Sequence, residues 1–149
     1  DFDTRSVFLG AFFKWNSFEN TQIAESRGFR YANDDLKTGT WDFADIDCNF
    51  ISLHHVTKWQ KFGITRAFDN LSVQIRYGQI TRAEAIKKIR ELGLQIPKAD
   101  VQKFCEFQGL PESWFWQVAE KFRNEDIWKK VGNQWQIPGF LIEDWDWSQ

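Results

Sequence analysis

At 149 residues the chain is long enough for one domain with a sizeable core. Its net charge of −2, from 19 basic and 21 acidic side chains, argues against the nucleic-acid binders, which carry a basic excess. Nine Trp and fifteen Phe supply enough ring area for a core, with a surplus that would face a partner or ligand.

The longest apolar run, Val7–Phe13, is far short of the ~20 residues that span a bilayer, so no membrane segment is expected. That run (VFLGAFF) is β-rich and reads as one buried strand. Lys14–Asn20 reads as a loop, Glu19–Arg27 as a short helix ended by Gly28, and Asn33–Thr40 as a polar connection. From Asp45 the pattern is helical. Asp45–Phe62 contains no Gly or Pro and stops at Gly63; Ile64–Tyr77 stops at Gly78. Thr81 and Glu84 form a capping box at the head of Thr81–Leu92, whose apolar stripe is Ala85, Ile86, Ile89 and Leu92. A fourth helix starts at Pro97 and runs to about Gln108, burying Val101, Phe104 and Cys105. A fifth spans Pro111–Phe122, with Phe115, Val118, Ala119 and Phe122 inward. Beyond Asn124 the signals weaken. Ile127–Trp128 suggests one turn, Trp135–Ile137 a short strand after a Gly132–Asn133 turn, and Phe140–Gln149 a tail that packs back or docks on a neighbour.

The expected fold is therefore mainly α: five or so packed helices, one N-terminal strand and a possible short C-terminal strand. Cys48 and Cys105 are too few and too far apart for a disulfide framework, so both are expected to be reduced core residues of a cytoplasmic protein. The chain has no Met and opens on Asp1-Phe2-Asp3, which suggests a piece of a longer protein.

At about 100° per residue, Asp45–Phe62 has two apolar flanks. Ile46, Phe50 and Leu53 form one; Cys48, Ile51, Trp59 and Phe62 form the other. Between them runs a polar stripe of Asp47, His54, Lys58 and Lys61. A helix packed between two layers can enclose such a stripe, and enclosed cations need an anion, from the protein or from a ligand phosphate. The other reading has both lysines snorkelling to water and His54 bonded to a backbone carbonyl. On the next helix Thr65, Asp69, Ser72 and Arg76 line up on one face with Arg66 beside them. Asp69 and Arg76, two turns apart, suit one ligand, or else a solvated face with ion pairs worth ~0.5 kcal/mol. His54 and His55 point about 100° apart and have no further ligand at zinc-site spacing, so no metal is expected. Asp34 and Asp35 sit in a polar loop. No P-loop, G-x-S-x-G or G-x-G-x-x-G sequence occurs, so residue spacing alone supports no reaction and no catalytic residue.

The run Lys61-Phe62-Gly63-Ile64-Thr65-Arg66-Ala67-Phe68-Asp69, with Ser72, Ile75-Arg76, Gly78, Ile80-Thr81-Arg82 and Glu84-Ala85, resembles a long motif. It is similar to KFGxGRAxxDxSxxIRxGxIxRxEA of the N-acetyl sugar amidotransferases of bacterial surface-polysaccharide biosynthesis. Phe13–Asn20 is similar to that family's PWxxxEN segment, and Gln108-Gly109-Leu110, Phe115-Trp116, Phe122-Arg123 and Trp128-Lys129-Lys130 agree in kind and spacing. Thr65 stands where the family usually has Gly, Asn70-Leu71 replace a small residue before Ser72, and Lys14 replaces the Pro before Trp15.

The resemblance implies the helical C-terminal part of a PP-loop ATP pyrophosphatase-like α/β enzyme. Residues 1–44 would be a strand and linker remnant of the N-terminal α/β domain, and 45–149 the helical domain, within a single unit 1–149. It also implies ATP and Mg held mainly by that N-terminal domain, a glutaminase partner supplying ammonia, and a nucleotide-linked N-acetyl sugar as substrate. The S-G-G-x-D-S loop of such enzymes is not in this sequence, so the chain by itself is expected to be inactive. Lys61, Arg66, Asp69 and Arg76 become candidate grips for the pyrophosphate or the nucleotide-linked sugar, with Lys58 and His54 on the adjoining stripe. Arg suits phosphate through its bidentate geometry. The competing reading is a non-catalytic helical module that uses its aromatic surplus and its acidic, Trp-bearing tail to bind a protein.

Overall fold

A computed structural model describes residues 5–31, 38–48 and 50–148. The chain divides into two units, Asp1–Tyr31 and Ala32–Gln149.

Among its described residues the first unit holds one α-helix, α1 (Ser17–Ser26), capped by Asn16, whose side chain accepts from the Phe18 N–H. The expected strand over Val7–Phe13 is absent: Leu9–Ala11 form a single 3-10 turn, and Val7, Phe8, Leu9, Phe12 and Phe13 are exposed. A strand requires a partner for its N–H and C=O groups, and this unit contains no second strand among its described residues.

The second unit is built from α2 (Ile51–Phe62), α3 (Arg66–Arg76), α4 (Arg82–Leu92), α5 (Lys98–Gln108) and α6 (Glu112–Glu120), followed by a hairpin of β1 (Lys129–Val131) and β2 (Gln134–Gln136). The mainly helical class read from the sequence holds. The hairpin is antiparallel, with Lys130 opposite Trp135. It confirms the weak strand signal one residue earlier than expected and supplies that strand's partner. The capping box forms as read: the Thr81 hydroxyl accepts from the Glu84 N–H at 3.2 Å while Glu84 Oε2 accepts from the Thr81 N–H at 2.7 Å.

The long helix expected from Asp45 begins only at Ile51. Asp45 has φ +58°, a left-handed conformation that breaks helical continuity, and Ile46, Asp47 and Cys48 are exposed. Cys48 is thus a surface thiol rather than a core residue, whereas Cys105 is buried as expected and burial raises its thiol pKa. The expected connection over Asn33–Thr40, with Asp34 and Asp35, lies outside the described residues except for Thr38–Thr40.

Two cores flank α2. Leu53 packs with Val101, Cys105, Phe115 and Ala119, joined by Phe50 and Phe104. Trp59 packs with Leu71, Ala85, Ile89, Trp128, Ile142 and Trp145. The two apolar flanks hold only in part: Leu53 and Trp59 are buried, one in each core, whereas Ile46, Cys48 and Phe62 are exposed. On α6, Phe122 falls beyond the last turn and is exposed rather than inward. The C-terminal tail packs back on its own unit: Ile142 is 2% exposed and Trp145 7%. Burying each such side chain contributes ~1.5–3 kcal/mol, which fixes the tail without regular structure.

Candidate functional site

The turn between α2 and α3 brings the charged residues of the motif together. Gly63 ends α2 in the left-handed conformation (φ +65°), its N–H bonded to Trp59 O at 2.7 Å. A Cβ there would stand 2.1 Å from Ile137 Cδ1, so that side-chain end would have to move, and the backbone conformation itself favours glycine. Three residues later α3 starts at Arg66, which places Arg66 and Asp69 in its first turn.

Lys58 of α2 reaches across and pairs with Asp69 Oδ2. The same oxygen lies 3.6 Å from Arg66 Nη1. Arg66 also donates through Nε (2.8 Å) and Nη2 (3.1 Å) to the two oxygens of Asp45, a bidentate pair. The result is a neutral chain of alternating charge, Lys58–Asp69–Arg66–Asp45. The four side chains are 17% to 34% exposed, so solvent screens their pairing and each contact contributes on the order of 1 kcal/mol.

A strap over 38–45 completes this arrangement. Thr38 Oγ1 is 2.7 Å from His55 Nδ1. Gln95 clamps Gly39 by donating to its carbonyl and accepting from its N–H, and Thr40 N–H donates to Asn70 Oδ1 at 2.9 Å. Gly39, at φ +80°, lets the strap lie against α3, because a Cβ would meet Asn70 Oδ1 at 2.6 Å and Arg66 Cγ at 2.8 Å. Burial, more than any other influence, lowers the His55 pKa below 6.5; nearby Asp45 opposes this, and Arg66, His54 and Lys58 add to the lowering. His55 is therefore neutral at pH 7.

Of the six residues singled out from sequence, Lys58, Arg66 and Asp69 meet in this network. The other three lie outside it. Lys61 is exposed, with Nζ 5.3 Å from the Phe122 ring centroid. Arg76 is exposed in the last turn of α3, and His54 is exposed beside His55. Sequence reading missed Asp45, Asn70, His55 and Gln95. Asp45 was hidden because its segment reads as helix, and Gln95 because its partner lies 56 positions away. Gly39 between two threonines was the one local sign of a close backbone approach. Among the described residues no group of three or more His, Cys, Asp or Glu is placed to hold a metal ion.

A family model described as LPS biosynthesis protein WbpG-like, C-terminal domain, matches residues 16–140. The chain belongs to this family. The WbpG-like match spans α1 through the hairpin, so the charged network and its strap lie inside it, while 141–148 of the tail lie beyond it. Membership makes this a domain of LPS biosynthesis. No curated protein matches the chain. No helix among the described residues is long and apolar enough to cross a membrane.

Proposed function

We propose that this WbpG-like domain is the helical C-terminal part of an ATP-dependent sugar amidotransferase, and that the network around Asp69 grips the phosphates of a nucleotide-linked N-acetyl sugar. The observation that carries the reading is the shared acceptor: Lys58 and Arg66, from two helices, both address one oxygen of Asp69. Two cations converging on one anionic oxygen suit a phosphate oxygen in the same place, with Asp45 holding the Arg66 plane by its other edge. Arg76 and Lys61 would reach the outer parts of the ligand, and exposed His54 would stand beside it.

In this scheme ATP with Mg, held mainly by a PP-loop domain, adenylylates the acetamido oxygen, pyrophosphate leaves, and ammonia from a glutaminase partner replaces that oxygen as AMP departs, giving an acetamidino group. The domain described here binds and orients the sugar nucleotide for that step. The setting is cytoplasmic, where nucleotide-linked sugars and ATP are available.

The test uses the polypeptide that carries this domain, supplied with ATP, Mg, an ammonium salt and a UDP-linked N-acetyl sugar. The expected product carries NH in place of one oxygen, with one AMP and one pyrophosphate released per turnover. Arg66→Lys and Lys58→Gln should raise the sugar-nucleotide KM about tenfold, the loss of one charge-assisted contact. Unchanged KM in both variants, or AMP release without sugar conversion, would refute the assignment.

One observation favours a second reading, a protein-interaction module: Phe8, Phe12, Phe13 and Trp15 are 62% to 89% exposed in the first unit. In that case deleting 5–15 abolishes association with a partner protein and leaves sugar-nucleotide binding intact.

A further inference from the structure

Five of the nine tryptophans converge on one cavity of about 300 Å³: Trp59 of α2, Trp128 before the hairpin, Trp135 of β2, and Trp145 and Trp147 of the tail. They pack in mixed edge-to-face and stacked pairs, with Trp59 at 5.0 Å from Trp128 and 5.5 Å from Trp145. A cluster of this kind is ordinarily solid core. Here it leaves a space at the lower end of the range for small-molecule sites, and polar groups share its wall.

Those polar groups narrow the ligand. Asn133 and Gln134, at the hairpin turn, offer amide donors and acceptors, and both residues are exposed. Asp146 is fixed by accepting from the Ser148 N–H at 2.9 Å and from its hydroxyl at 2.6 Å. A purely apolar ligand would strip water from these groups and return nothing. Arg123 closes one side, its guanidinium 4.6 Å from the Trp128 ring and 5.3 Å from the Trp135 ring and already paired with Glu120. One cation and one carboxylate leave the lining without net charge, so neither an anionic phosphate nor an ammonium group is selected.

We propose that this cavity binds one neutral pyranose ring, a sugar unit met during LPS biosynthesis. Such a ring presents C–H hydrogens on one face, which suit the negative face of an indole, here the partly exposed Trp135 and Trp147 in front of buried Trp59, Trp128 and Trp145, and hydroxyls around its edge that exchange hydrogen bonds with amides and a carboxylate. The site shares no lining residue with the Lys58–Asp69–Arg66–Asp45 network and stands independently of the amidotransferase reading. Two of its five tryptophans, Trp145 and Trp147, lie beyond the family match, so this chain's own tail would contribute to sugar preference.

The experiment follows indole N–H signals by two-dimensional NMR during titration with N-acetylglucosamine and, separately, methyl glucoside. The expected result is saturable movement of the signals of Trp59, Trp128, Trp135, Trp145 and Trp147, with Trp15, Trp41, Trp114 and Trp116 unmoved. Trp147→Ala should weaken binding by tenfold or more, the range for loss of one stacked ring. Because Trp147 also packs on Phe140, at 5.1 Å, the double variant Asn133→Ala, Gln134→Ala serves as a second probe that spares the core and should weaken binding about tenfold. No movement with either sugar would overturn the proposal. So would equal movement by uridine alone, which would mark a nucleobase site, or binding unaffected by the Asn133, Gln134 variant. Loss of sugar-nucleotide turnover with these shifts intact would strike only the amidotransferase reading.

Discussion

Replacing Gly63 with alanine tests the turn that aligns the two charged helices, and its cost separates into two parts. A non-glycine residue at φ +65° carries a backbone penalty of ~1–2 kcal/mol. The new Cβ would lie 2.1 Å from Ile137 Cδ1, so that side chain must leave its rotamer or the turn must shift, an overpacking cost of ~1–3 kcal/mol. Gly63→Ala should therefore destabilise by ~2–5 kcal/mol in urea denaturation followed by tryptophan fluorescence. Ile137→Val removes the clashing carbon, and the next carbon of Ile137 lies at 3.5 Å, an ordinary contact. Ile137→Val alone should cost ~1 kcal/mol. In the double variant the steric part disappears, so the two changes should combine for ~1–2 kcal/mol less than their sum. Strict additivity, or a Gly63→Ala cost below ~0.5 kcal/mol, would refute the placement of the hairpin exit against this turn.

Three further outcomes follow from the strap and the caps. Asp45→Asn keeps a residue that tolerates φ +58° and loses only the charge pairing with Arg66, whereas Asp45→Ala loses both, so alanine should be the more destabilising by ~1 kcal/mol in the same denaturation assay. The lowered His55 pKa means that the unfolded chain binds more protons than the folded one between that pKa and 6.5; stability should fall as pH drops through this window and level off below it, and His55→Gln should flatten the slope. Thr81→Ala removes the hydroxyl that caps α4 and should cost ~1 kcal/mol, with amide exchange accelerating in the first turn of that helix.

Helix α6, without a glycine stop, ends at Glu120, short of the expected Phe122, whereas α2 to α5 were legible because each carries its own stop signal. Gly63, Gly78, Gly93 and Gly109 end them or follow their ends, and Pro97 and Pro111 cap two helix starts. Local rules decide such boundaries. The errors arose where tertiary context decides. Asp45–Phe50 has good helical composition, yet Asp45 takes a left-handed conformation and binds Arg66, 21 positions on. Val7–Phe13 has strand composition and, among the described residues of its own unit, no strand to pair with. In the candidate site, helical periodicity put Lys58 and Asp69 on polar faces but could not say that the two faces meet. That depends on the angle set at Gly63, which the wheel does not contain. Lys61 and Arg76 looked equivalent to Lys58 and Arg66 on the wheels; a position three residues along α2, or ten along α3, is enough to leave them in solvent.

The two proposed sites are mechanically linked through α2, and this governs how they must be tested. Lys58 and Trp59 are consecutive, so they leave the helix about 100° apart, one into the charged network and the other into the tryptophan cavity. Any change that rotates or frays α2 moves both. Leu53→Ala in the core shared with Val101 and Phe115, costing ~2–5 kcal/mol, would depress binding at either site without either being real. Asp45, on the strap, and Gln134, on the hairpin, are each bound into only one of the two arrangements. If the sites are independent, Asp45→Asn should leave the five indole signals responsive to sugar, and Gln134→Ala should leave sugar-nucleotide KM unchanged. Cross-effects in both directions would mean that α2 couples the two sites.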